Sequence, residues 1–162
     1  MLEQELRLFA MQNGYLKMLV ADLDDADLRK QPVAKMNTGH WILGHLAVCN
    51  DYTLAALGCE KVCPESWRPA FDYGSQPGVT DNIAVTKAQL LDYIGRGHEL
   101  IRVAITKGVD AKKMAHPNEI ESLRKALPTV GDFVAHLLTT HMAGHLGQLS
   151  AWRKTIGKGH VM

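Results

Sequence analysis

Residues 141 to 145 read HMAGH, two histidines four positions apart in a stretch with helical periodicity. That spacing stacks two imidazoles on one side of a helix, close enough to grip one metal ion at N–metal distances of about 2.0–2.1 Å. Two ligands on one helix rarely suffice. His45 lies on the apolar stripe of an earlier helical segment and can supply a third nitrogen from across a helix bundle. The HExxH metalloprotease pattern needs a glutamate directly after its first histidine, and Met142 stands there, which disfavours that mechanism.

The neighbours of these histidines carry further expectations. On a straight helix Val134, Leu137, His141, His145, Gln148 and Trp152 form one inward-facing stripe. His40 and His136, each five residues before a proposed ligand, are rotated from it by about 140° and point elsewhere. Gln148 reads equally as a group that orients a ligand imidazole and as a buried amide bonded to backbone. Tyr52 reads as a polar pocket contact or, more often, a packing residue. Cys49, one turn after His45, reads first as a buried inert thiol, with a metal ligand or nucleophile as the alternative. Gly44, Gly144 and Gly147 weaken their helices beside the ligands, and close approach of backbone or ligand explains them. His98 and His116 lack partner spacing and read as surface or loop residues.

Four helical segments must position these groups. Leu2, Leu6, Phe9, Leu16, Leu19 and Leu23 predict a first helix over roughly residues 2–23. A second follows a cap at Asn37 or Thr38 and ends at Gly58. Residues 59–82, with Pro64, Pro69, Gly74, Pro77 and Gly78, predict a long irregular connection. Its Trp67, Arg68, Phe71 and Tyr73 can cover a pocket, although packing is the slightly better reading. A third helix spans about Val85–Lys107. A short helical piece near 119–126 precedes a last helix opened by the capping pair Thr129 and Asp132 and ended near Ile156.

The 162 residues, 46% hydrophobic and without a composition break, fit one domain over 1–162. A net charge of +1 gives no field for nucleic acid or an anionic membrane. Phe133–Trp152 is uncharged and long enough to span a bilayer, but its histidines, threonines and glutamine make it a buried helix instead. The N-terminal MLEQELRLF is too charged for a signal peptide, and Cys49, Cys59 and Cys63 form an odd set of free thiols. A cytoplasmic location is expected.

MNTGHWILGHL (36–46) and HLLTTHMAGHLGQLSAWRKTIG (136–157) together resemble the DinB/YfiT-like superfamily of metal-dependent enzymes. The match extends over most of the chain, through the aromatic-x-x-x-His of the second helix and the His-x-x-x-His-x-Gly-Gln of the last. The resemblance implies an all-α four-helix bundle, a divalent metal, zinc or nickel, held by His45, His141 and His145, and a homodimer. Related members include S-transferases that use a low-molecular-weight thiol cosubstrate. Three neutral histidines leave a coordination position open, as in catalytic zinc sites, where a bound water or thiol is acidified. The expected function is thus a metal-dependent transferase or hydrolase acting on a small molecule. The alternative is a non-catalytic bundle in which the metal stabilises fold or dimer.

Overall fold

The computed structural model describes residues 1–161 and is all-α. Four long helical stretches dominate it: α1 (Glu3–Val20), α3 (Gly39–Leu57), α5 (Lys87–Lys107) and a last stretch made of α7 (Val130–His136), a π-helical turn (Leu137–His141) and α8 (Met142–Thr155). Helix α1 packs on α5 and α8, and α3 packs on the same two, which closes a four-sided bundle. Short helices α2 (Asp25–Leu28), α4 (Arg68–Phe71) and α6 (Ala111–Ala115) decorate the connections.

The caps explain the boundaries. Thr38 accepts from the Trp41 N–H and starts α3, and Gly58 ends it in the left-handed conformation, where a side chain is disfavoured. Reciprocal capping boxes open α5 (Thr86 with Gln89) and α7 (Thr129 with Asp132). The first helix stops at Val20, short of the expected Leu23, because Asp24 caps the separate helix α2 through the Asp27 N–H. Near 119–126 only a single 3-10 turn forms, at Glu121–Leu123, and the neighbouring helix α6 lies earlier, on the Asp110 cap.

Burial departs from expectation in α3. Every residue from Gly39 to Asp51 is buried, so this helix has no solvent face over its first three turns and serves as the hub of the bundle. Part of the cover comes from the 59–82 connection, which is more ordered than its prolines suggest. A 3-10 turn at Glu65–Trp67 runs into α4 and sinks Trp67, Ala70 and Phe71 into the core. Tyr73, by contrast, is almost wholly exposed.

The last helical stretch is not straight. The π-helical turn holds one residue more than an α-turn would, which shifts the phase of everything after it by about 100°. Carbonyls in and just before the widened turn find side-chain partners. The hydroxyl of Thr139 donates to the Ala135 carbonyl at 2.6 Å, and Gln12 of α1 donates to the Leu138 carbonyl at 3.1 Å. Before the turn the buried residues are Val130 and Val134, within it Leu137 and Leu138, and after it Met142, Leu146, Leu149, Trp152 and Arg153. The stripe drawn on a straight helix is thereby corrected: His141, His145 and Gln148 flank the buried face of α8 instead of lying along its centre.

Candidate metal centre

His45, on the buried hub helix, meets His141 and His145, both half-buried, from across the bundle. One ring nitrogen from each lies within 4.8 Å of the other two. The His45 and His141 Nε2 atoms are 3.2 Å apart. Two nitrogens bound tetrahedrally to one ion at about 2.05 Å would stand about 3.3 Å apart, so this pair fits a shared cation.

The tautomers fit as well. His45 Nδ1 is 2.7 Å from the Phe71 carbonyl, which can only accept, so the proton sits on Nδ1 and the Nε2 lone pair faces the other histidines. His145 Nδ1 donates in the same way to Gln148 Oε1 at 3.0 Å, and Asn37 Nδ2 donates to that oxygen at 2.9 Å. Metal-binding histidines are typically held by such partners on the far ring nitrogen. His141 has no such partner, and its Nδ1 is buried without a hydrogen bond. Trp41 stacks on His45 with ring centroids 4.6 Å apart and planes inclined by 10°, which fixes the ring face.

Burial, joined at His141 and His145 by repulsion from neighbouring histidines, keeps all three imidazoles uncharged. Burial pushes His141 down to about 3, with the cations that His145, His45 and His136 would become adding to it. Burial and then His45 bring His145 to about 4. Burial also lowers His45, against the Phe71 carbonyl, which favours its proton. Neutral imidazole is the form that binds a metal. Near the cluster, Cys49 Sγ lies 3.5 Å from His45 Nε2 and 3.8 Å from His141 Nε2, and burial raises its thiol above the ordinary range.

The 59–82 connection shapes the site from outside. Besides the Phe71 carbonyl on His45, Asp72 receives the Tyr52 hydroxyl. The Asp72 carbonyl accepts from Ser75 Oγ at 2.6 Å, and Ser75 Oγ accepts from Trp41 Nε1 at 2.7 Å. Three α3 side chains, Trp41, His45 and Tyr52, thus fasten one loop segment. Burial and then the Asp72 bond push the Tyr52 phenol up to about 12. Tyr52 lines a cavity of about 160 Å³ with Ala55, Ile120 and Phe133, away from the histidines. Its role here is to anchor the loop.

The other expectations divide. His40 is fully buried but faces away from the cluster, contacting Asp81 and the Val85 carbonyl. Asp81 is held below its ordinary value because the His40, Thr38 and Gly78 hydrogen bonds outweigh its burial. His136 bonds Thr140 through Nδ1, and its ring lies edge-on to His141 at 5.6 Å. His98 is not a plain surface residue: it is half-buried against Phe9, with ring centroids 4.9 Å apart. A Cβ on Gly44 would lie 2.2 Å from the Phe71 ring, so a side chain, not backbone or ligand, explains that glycine. Nothing lies within 4 Å of a Cβ on Gly144 or Gly147, so close approach does not explain those two.

Sequence reasoning missed the Phe71 carbonyl, Asp72 and Asn37. Every residue has a carbonyl, so the first left no signal at all. Asn37 was visible only as a helix-cap candidate.

A family model for the DinB superfamily matches residues 9–149, and the chain belongs to that superfamily. Its fold is similar to that of a conserved protein from Enterococcus faecalis known from a crystal structure, with a TM-score of 0.77 at 14% identity, covering 96% of each chain. No curated protein matches the sequence. Among the described residues, no helix is long and apolar enough to cross a membrane.

Proposed function

We propose that this chain is a metal-dependent enzyme acting on a small molecule, with His45, His141 and His145 holding a divalent ion, zinc or nickel. The observation that carries this reading is the convergence of three neutral imidazoles, two of them fixed by partners on the far ring nitrogen. A bound ion supplies Lewis acidity, lowering the pKa of a water or thiol that reaches it. The chain's own part is to aim and hold the donors: Phe71 and Trp41 fix His45, and Gln148 with Asn37 fixes His145. The half-exposed sides of His141 and His145, next to the exposed Gly144 and Gln148, mark the approach for substrate.

By its superfamily, thiol-dependent S-transfer is the first reaction to test and hydrolysis the second. Metal content of protein purified without a histidine tag should fall sharply in His45→Ala and His141→Ala; unchanged content in both variants refutes the site. A screen of low-molecular-weight thiols against an electrophilic acceptor should give a metal-dependent thioether. No product there sinks the transferase assignment. A second reading, a closed centre that only stabilises the fold, draws on the nearness of Cys49 Sγ to two of the histidines. An exchangeable solvent molecule on the bound ion would count against it.

A further inference from the structure

Cys49 stands out among the groups that the three-histidine reading leaves unused. It lies one turn after His45 on the hub helix, is 7% exposed, and its sulfur points at the metal-facing nitrogens. Its two short contacts, 3.5 Å to His45 Nε2 and 3.8 Å to His141 Nε2, are to atoms that the far-side hydrogen bonds and the cluster geometry present as donors. Tetrahedral zinc with Zn–S of about 2.3 Å and Zn–N of about 2.05 Å places sulfur and nitrogen about 3.5 Å apart. The sulfur therefore stands at the spacing of a fellow ligand from two of the three histidines, while the donors that all lie within 4.8 Å of one another are the histidines alone.

We infer that Cys49 is a fourth protein donor, making the resting centre a three-nitrogen, one-sulfur site that selects thiophilic cations such as zinc or cobalt over hard ones such as magnesium. This inference rests on the three-histidine reading. On binding, the thiol releases its proton to solvent and the sulfur gives its electron pair to the cation, with no change of oxidation state. A cysteine ligand is compatible with catalysis, because zinc accepts a fifth ligand and sulfur-ligated catalytic zinc sites exist.

Cobalt(II) substitution tests this without any assay of turnover. Cys59 and Cys63 are also free thiols, so the parent for the test is the Cys59→Ser, Cys63→Ser protein. It should bind one cobalt ion per chain and show a near-ultraviolet sulfur-to-cobalt charge-transfer band. Adding Cys49→Ser, or separately Cys49→Ala, should abolish the band while one cobalt ion per chain still binds to the three histidines. One cobalt bound by the parent with no such band overturns the Cys49 assignment and leaves the histidine site standing. Failure of the parent to bind cobalt overturns the histidine site itself, and the inference with it.

Discussion

Gly44 and Gly144 sit next to His45 and His145, yet the same substitution should act on them in opposite directions. A Cβ at Gly44 would lie 2.2 Å from the Phe71 ring, where ordinary contact begins at 3.4 Å, so the ring would have to move by more than 1 Å. Phe71 is completely buried and packed against His40 and Trp67, at centroid distances of 5.4 and 5.7 Å, and cannot yield cheaply. Overpacking of this kind costs about 3 kcal/mol at its upper end. Alanine's better helix propensity offsets about 1 kcal/mol, leaving a net loss of about 2 kcal/mol. For a domain of this size that lowers Tm by roughly 4–8 °C. Gly144→Ala meets nothing within 4 Å on an exposed helix face and should instead raise Tm by roughly 2–4 °C. Thermal melts of the metal-free proteins, followed by circular dichroism, measure both. Because Phe71 also holds His45, Gly44→Ala should weaken zinc binding about 10- to 100-fold as well. A Gly44→Ala protein as stable as the parent, or both variants shifting in the same direction, refutes the packing argument.

Acid should destabilise the metal-free protein through the same histidines. His141 and His145 fall from 6.5 to about 3 and about 4 on folding, so the unfolded chain takes up their protons first. The stability they leave intact above about pH 6.5 is lost as pH falls toward those values; denaturant midpoints should show it, and a His141→Gln, His145→Gln protein should have the flatter profile. Gln148→Ala should leave metal stoichiometry at one but weaken zinc affinity by about tenfold, measured by competition with a chelator. Arg153 is buried and paired with Asp22, whose carboxyl its hydrogen bond holds below the usual range. Asp22→Asn should therefore destabilise at neutral pH, and the difference should vanish as pH falls below the folded value of Asp22, since protonation does to the parent what the substitution does to the variant.

The caps and the apolar periodicity were readable because they are local: Thr38, Gly58, and Thr129 with Asp132 act on backbone within a turn of themselves. The three histidines were readable for a similar reason, since spacing on a helix dictates direction. The π-helical turn was not, because Gln12 partners its Leu138 carbonyl only once α1 and the last helical stretch are side by side. The role of the 59–82 connection was hidden too. Its prolines mark a loop, but its grip on the site runs through the Phe71 main chain and through Asp72, and residue type says nothing of the first.

The surplus residue in the π-helical turn makes the last helical stretch two gears on one shaft. Deleting Thr140 would let the turn close into ordinary helix, keep α7 seated on its capping box, and turn α8 by about 100° relative to it. Seating Met142, Leu146 and Leu149 in the core and aiming His141 and His145 at His45 are therefore set by chain length within five residues rather than by any single side chain. A one-residue deletion there should keep the helical content while abolishing metal retention.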